Sequence, residues 1–363
     1  MNLRDIPTPA LVVDVPAMER NIQRMAAFAA AGTCRLRPHF KAVKTPAIAR
    51  RQIAAGGCVG LTCQTVGEVE VVVDEGLTDD ILLTNEIIGP GKADRVARIA
   101  NRADIKVAVD SEYGLRDLAR AALEAGTEIG VVVDVNVGLP RCGVAAGAPT
   151  VALARLVHET EGVRLAGIMG YEGHAVGKES RADREAIAGK AMDLLLMSAR
   201  MVREAGLPVA FVSAGGTGTY DITGRIEGIN EIQPGSYVLM DTAYAKLDVP
   251  FEQAFSILGT VIHRSPEHCV LDTGLKACAV DHGNPSIKTE PGASVRFLSD
   301  EHATIDLPGD SKVQVGDPFE LWPSHIDPNI NLHDVMYALQ GREVVEIWPI
   351  TARGYGEQRT IRL

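Results

Sequence analysis

The sequence predicts an α/β chain in two parts, a parallel (β/α)8 barrel followed by an antiparallel β domain. Three observations carry this reading. Short apolar runs alternate with stretches of helical spacing as far as about residue 240. Polar residues gather where those runs end. From about residue 250 the helical stretches give way to closely spaced short strands with turn signals between them.

The strand-like runs are, in order, ALVVDV (10–15), LRPHFK (36–41), CVGLTC (58–63), DILLTN (80–85), KVAVD (106–110), IGVVVDV (129–135), LAGIMGY (165–171), FVSAGG (211–216) and IQPGSYVLM (232–240). Between most of them lie amphipathic stretches such as AMERNIQRMAAFAA and YGLRDLARAALEAG, the second closed by a glycine. Strands apolar on both faces and joined by helices imply a parallel sheet covered by helices. Nine runs are one too many for eight strands, and the first, preceded by Pro7 and Pro9, could belong to the second domain. FSILGTVIHR, HCVLDTGLKA, ASVRFLS, EHATIDL, DPFELWPS, DVMYALQ and EVVEIWPITARG supply the β domain. The expected divisions are an N-terminal strand segment at 1–15, a barrel at 16–245 and a β domain at 246–363.

Bulk properties narrow the function. With 363 residues, 46% hydrophobic and 23% charged, the chain has an ordinary composition for a large enzyme-sized protein. A formal charge of −11 with no basic block argues against nucleic-acid or anionic-membrane binding. No apolar stretch suits a signal peptide or a membrane span. Six scattered cysteines without CxxC pairing read as free thiols, and the expected location is cytoplasmic.

Three segments concentrate chemistry. In LRPHFK, read as a buried strand, Arg37, His39 and Lys41 share one face. Three potential cations there require an anion nearby, and a lysine so placed suits Schiff-base chemistry. A salt-bridged strand end would show the same residues. Gly215-Gly216-Thr217-Gly218-Thr219, after an apolar strand, can turn backbone N–H groups and hydroxyls toward an oxyanion, as can Gly235-Ser236. The loop has no Walker lysine and does not fit GxGxxG, which disfavours a nucleotide. Tight-turn glycines alone would look alike. In Pro323-Ser324-His325-Ile326-Asp327-Pro328, His325 and Asp327 project to one side if the segment is extended. They then suit Mn²⁺, Mg²⁺ or Zn²⁺. A hydrogen-bonded His–Asp pair is the plainer alternative.

RPHFK, CQTVGE, the NE of LLTNEI, PRCGV, GYEG, SAGGTGTY, EIQPGSYVLMD, LDTGLKA, DEH and PSHIDPNINLHD together resemble the D-threonine aldolase and D-3-hydroxyaspartate aldolase group. These are fold-type III pyridoxal-phosphate enzymes, similar to D-serine dehydratase and more distantly to alanine racemase. The resemblance runs from about residue 7 to about 356. It implies an alanine racemase-like barrel and β domain, with the first strand in the β domain. It implies that Lys41 rather than Lys44 carries pyridoxal phosphate, and strand parity agrees. Arg141 should approach the cofactor's phenolic oxygen. Gln64 and Tyr171 should line it, Gly215, Gly216, Thr217, Gly235 and Ser236 should hold its phosphate, and Tyr237 should also contact it. Gln233 stands where racemases keep an arginine near the pyridine nitrogen. His325 and Asp327 match the metal ligands, and a homodimer is implied.

The resemblance implies an aldolase that cleaves D-β-hydroxy-α-amino acids to glycine and an aldehyde. Asp327 fits the aldolases, because the dehydratase branch carries cysteine there. One position departs: aldolases have a histidine six residues after the tyrosine of GYEG, and this chain has Gly177. His174 is the expected general base, with Glu172 or metal-bound water as alternatives. Mn²⁺ or Mg²⁺ is expected rather than Zn²⁺. The alternative reaction is dehydration of D-serine or D-3-hydroxyaspartate to a 2-oxo acid and ammonia; a pyridoxal-phosphate carrier without turnover fits poorly.

Overall fold

A computed structural model describes residues 1–89, 91–354 and 356. Residues 355 and 357–363, the end of the expected β domain, lie outside them. The described chain divides into two compact units: Met25–Lys41 with Ile48–Gly235, and Met1–Arg24 with Ala42–Ala47 and Ser236–Gly354.

In the first unit eight parallel strands follow one another. Around the sheet the order is Arg35–Leu36, Glu231–Ile232, Phe211–Ala214, Val163–Met169, Ile129–Asn136, Asp104–Val109, Asp80–Leu83 and Leu61–Cys63. Single-residue bridges from Leu36 to Cys58 and from His39 to Thr62 join the two ends and close the ring. The apolar runs become strands because both faces are covered. In Ile129–Asn136 every residue but the last is buried, and Leu82, Ala108, Val132, Ala166 and Met169 form one core cluster. Helix starts carry side-chain caps: Thr65, Ser111 and Ser180 each accept a backbone N–H three residues on.

The LRPHFK segment differs from its expected strand. The strand proper is Arg35–Leu36, and alternate N–H groups extend the ladder only as far as His39, whose N–H donates to the Pro234 carbonyl. Phe40–Ala42 is then a 3-10 turn, so strand parity does not reach Lys41. Arg37 is 2% exposed and finds its anions within the protein. It donates to Glu231 twice, at 2.8 and 3.0 Å, and to Asp80 at 2.6 Å. Asp80 also accepts from Lys106 at 2.8 Å. Glu231, Asp80 and Asp104 begin their strands, so this network seals the N-terminal end of the ring, the end opposite to the one where barrel chemistry sits. Gly60 is required here, since a Cβ would meet Arg37 Nη1 and the Asp80 carbonyl. IQPGSYVLM also departs from a full strand. Only Glu231–Ile232 pairs, because Pro234 has no N–H for a ladder, and Ser236–Val238 forms a 3-10 turn.

The second unit holds a sheet ordered Ser294–Leu298, Ala303–Asp306, His268–Leu271, Phe255–Arg264, Ala10–Asp14, Val335–Gln340 and Glu343–Pro349. Pro318–Trp322 pairs with Phe255–Arg264 and with Ser286–Ile287. All pairings are antiparallel except that of Ala10–Asp14 with Val335–Gln340. Ala10, Val12, Leu258 and Leu339 from its strands form a core cluster with Leu3 and Ile6.

Removing Arg37 leaves Glu231 buried without its partner, so Arg37→Ala should cost about 3–5 kcal/mol in urea unfolding. The double change Arg37→Met with Glu231→Leu should recover most of that. A single-variant loss under about 1 kcal/mol would show that the network is not the seal described.

Candidate active site

Several of the residues singled out in the sequence lie at or just beyond the C-terminal ends of the ring strands. Lys41 follows the first strand directly, in the 3-10 turn, and is half-buried. Gln64 follows the next; its Nε2 donates to the Thr84 carbonyl at 3.1 Å, and Thr84 Oγ1 lies 3.5 Å from His39 Nε2. Lys44 is committed elsewhere, in the second unit, where its ammonium reaches the Ala352 carbonyl at 3.4 Å. Of the two lysines weighed from sequence, Lys41 is the one beside the C-terminal end of the ring.

Tyr171, Arg141 and the glycine loop come together. The Arg141 guanidinium lies 5.5 Å from the centre of the Tyr171 ring. The same ring closes over Gly216, where a Cβ would meet Tyr171 Cε2 at 3.3 Å. Gly215 adopts φ +75°, and a Cβ there would meet Ile232 at 2.8 Å. These two glycines supply shape rather than donors. The Gly215 N–H donates to Glu172 at 3.1 Å, and the Gly216 N–H donates to Thr219 Oγ1 at 3.3 Å. The donors that open the following turn are the N–H groups of Thr217 and Gly218. Gln233 is oriented by its Nε2 hydrogen bond to Ser213 Oγ at 2.8 Å.

Glu172 is not a base in solvent reach. It is fully buried, and beyond the Gly215 N–H it accepts from Thr219 Oγ1 at 2.8 Å and Thr223 Oγ1 at 2.5 Å. Both oxygens therefore pin the glycine loop from behind. His174, two residues on, packs its ring on Gly138, and its Nδ1 is buried without a hydrogen-bond partner. Of the two side chains weighed from sequence as bases, Glu172 is taken up by these hydrogen bonds and His174 Nδ1 is not.

In the second unit, Tyr237 is 1% exposed and packs 5.6 Å from the Phe251 ring, a core contact. Ser236 opens the same 3-10 turn. The metal segment is not extended. His325 is the N-cap of a helix over Ile326–Leu332, with Asp327 and Pro328 in the first turn, where proline's missing N–H costs nothing. The expected same-side projection by strand parity therefore does not apply. Asp241, fully buried, accepts the Ile326 N–H at 3.2 Å and the Tyr244 N–H at 2.9 Å. Burial, outweighing those hydrogen bonds, raises its carboxyl above the usual range, and the charge of Asp327 adds to this. Asp281 and His282 stand beside His325, and one ligand atom from each of the three lies within 4.8 Å of the others. Imidazole and carboxylate donors of this kind fit a divalent ion of the Mn²⁺, Mg²⁺ or Zn²⁺ class.

The model of the alanine racemase N-terminal domain matches residues 13–243, and that of a serine dehydratase domain matches residues 254–339. D-threonine aldolase of an Arthrobacter species is 36% identical over 359 residues, covering 97% of this chain and 94% of its own. The 3-hydroxy-D-aspartate aldolase of Paracoccus denitrificans is 35% identical, covering 98% and 94%. The crystal structure of D-threonine aldolase from Filomicrobium marinum superposes with a TM-score of 0.95 at 40% identity, covering 98% of this chain and 97% of that one. This chain belongs to the D-threonine aldolase group of the alanine racemase family.

Membership of the D-threonine aldolase group implies pyridoxal phosphate, and the barrel residues fit it. A lysine sits in the turn that follows the first ring strand, a glycine loop pinned by Glu172 leads into a 3-10 turn, and an aromatic ring lies against that loop. Sequence reasoning missed the carboxyl groups around Arg141. Glu86, Asp110 and Cys142 each place a ligand atom within 4.8 Å of the others, and Asp110 Oδ2 accepts the Gly143 N–H at 3.2 Å, anchoring the PRCG loop. Burial first, then the Glu86 carboxyl, pushes Asp134 up to about 7, while burial raises the Cys142 thiol to about 11. The acidic positions were visible at strand ends; nothing in the sequence showed that they converge.

An Asp134 that holds its proton to about pH 7 when folded binds more protons than the unfolded chain between about pH 4 and 7. Its contribution to stability is present below pH 4 and lost as pH rises through 7. Asp134→Asn removes that loss, so its thermal midpoint relative to the parent should climb between pH 5 and pH 8, by differential scanning calorimetry. A flat difference would mean that Asp134 ionises like a surface aspartate.

Proposed function

We propose that this chain is a pyridoxal-phosphate- and divalent-metal-dependent aldolase that cleaves D-configured β-hydroxy-α-amino acids, D-threonine among them, to glycine and an aldehyde. The observation that carries the reading is the metal segment. An imidazole at a helix N-cap and a carboxylate in its first turn make a nitrogen–oxygen donor set with no thiolate. The relatives named above support the same choice. Lys41 would hold the cofactor through its amine, with Gln64, Tyr171 and Gln233 around it. Arg141 would face its phenolic oxygen. Gly215, Gly216, Thr217, Gly235 and Ser236, with Tyr237 adjoining, would form the phosphate cup. His325 and Asp327 would hold the metal.

When bound, pyridoxal phosphate supplies an electron sink for the pair released at Cα, and the divalent ion lowers the pKa of the β-hydroxyl. The chain's own residues position and move protons around that chemistry. His174 Nδ1, buried and without a protein partner, is the atom assigned to receive the hydroxyl proton. Glu172 fixes the glycine loop that would receive the phosphate. The match to a serine dehydratase domain over residues 254–339 favours a second reading, loss of water from the same substrates, and product analysis separates the two. We further propose a homodimer in a reducing cytoplasm. All six cysteines are free, and burial raises the Cys34, Cys58 and Cys278 thiols to about 12. No helix among the described residues is long and apolar enough to cross a membrane.

With D-threonine the purified enzyme should release glycine, and 2-oxo acid with ammonia as the main product would overturn the aldolase reading in favour of the dehydratase. Lys41→Ala should abolish turnover while keeping the fold, and borohydride should fix the cofactor to Lys41 in the parent. EDTA should remove activity but leave the yellow colour, and Mn²⁺ or Mg²⁺ should restore it. Full turnover in excess chelator would rule out the metal's part.

Glu172→Gln puts a donor where the glycine loop presents donors. It should weaken pyridoxal phosphate binding by about tenfold in spectral titration, with little effect on pyridoxal, which has no phosphate. Equal weakening of both ligands would mean that the loop is disturbed as a whole rather than at its anion cup.

A further inference from the structure

The segment LDTGLKACAVDHG carries two side chains that none of the roles above uses. Asp281 Oδ2 lies 2.6 Å from His325 Nδ1. The His282 ring lies 4.2 Å from the His325 ring at an interplanar angle of 3°. This arrangement is built. Asn329, fully buried, donates from Nδ2 to the His325 carbonyl at 2.7 Å and accepts the Ala279 N–H at 2.9 Å. One side chain thus ties the loop before Asp281 to the helix that His325 caps. The His325 backbone is itself extended, at φ −152° and ψ 126°, and the Ile326 N–H that follows is held by Asp241.

We infer that Asp281 and His282 are positioning residues of the metal centre: Asp281 fixes His325 as the tautomer whose Nε2 carries the lone pair, and His282 holds the plane of that ring. The inference rests on the reading that His325 is a metal ligand. An ionised carboxylate has no proton to give, so the short contact requires the proton on Nδ1 of His325. The lone pair is then on Nε2, the nitrogen left for a metal. Carboxylate–imidazole–metal arrangements of this type orient the ligand and raise its basicity. His282 is a buttress, not a ligand. Rings stacked at 3° keep their lone pairs in two separate parallel planes, so the two cannot both point at one ion. Chelation by both imidazoles would require the stack to open.

The test is Mn²⁺ binding to the pyridoxal-phosphate holoenzyme at fixed pH, followed by electron paramagnetic resonance, for the parent and for Asp281→Ala, Asp281→Asn, His282→Ala and His325→Ala. The cofactor absorbance band reports an intact barrel in each. Asp281→Ala should raise the Mn²⁺ dissociation constant about 10- to 100-fold, and Asp281→Asn, whose amide oxygen can still accept from Nδ1, should raise it less. The hyperfine coupling of bound Mn²⁺ should show one imidazole nitrogen in the parent and in His282→Ala. If Asp281→Ala and Asp281→Asn both stay within about twofold of the parent while His325→Ala loses the ion, the inference fails and the metal reading stands. If His325→Ala binds like the parent, both fail. A nitrogen coupling lost in His282→Ala would make His282 a ligand and overturn its buttress role.

Discussion

Closing a parallel sheet into a ring leaves no free edge, and it demands that the first strand find backbone partners on both sides. The segment from Arg35 to His39 meets that demand. Its N–H groups reach Asn230, Ile232 and Pro234 on one side, while Leu36 and Pro38 pair toward Gly57, Val59 and Thr62 on the other. Arg37 then locks the closure from within, bound to carboxylates at the starts of two other strands. The position of Lys41 depends on this closure. The chain leaves the ladder after His39, turns once, and presents the lysine at the end of the ring where loops converge.

Buried carboxyl groups organise the polar parts of both units. Glu172 gathers one amide and two hydroxyls beneath the glycine loop, so the loop's shape is set by the protein itself. Asp241 does the corresponding work at a helix start, holding the N–H of Ile326 next to His325. Each is satisfied by donors within its own unit, which is how a polar group survives burial. Asp134 is the contrasting case. Crowded by Glu86 and partly offset by Arg141, it keeps its proton into the neutral range.

Each unit fixes its own polar groups. The barrel unit holds Glu172 against the glycine loop and Arg141 against the Tyr171 ring, and the β unit holds Asp281 against His325 at a helix cap. Preorganisation of this kind places functional groups without spending binding energy on ordering them.

Much was legible in the sequence. The ring followed from apolar runs separated by helical spacing, because strands covered on both faces can be read without knowing their partners. Lys41, Tyr171 and the glycine run stood out because strand ends and small-residue loops have local signatures, whereas Arg141 came only from the family resemblance. Extended conformation was over-read in three places. LRPHFK breaks into a turn at Phe40, IQPGSYVLM is strand only at Glu231–Ile232, and His325 opens a helix whose start was written in Asp327 and Pro328. Local pattern fixes an element's kind better than its ends. What only the tertiary structure decided is which residues meet: Arg37 with Glu231 across 194 positions, Glu172 with Thr223 across 51, Asp281 with His325 across 44. Each pairing depends on strand order and loop course, and a one-dimensional pattern of polar residues carries no record of distance in space.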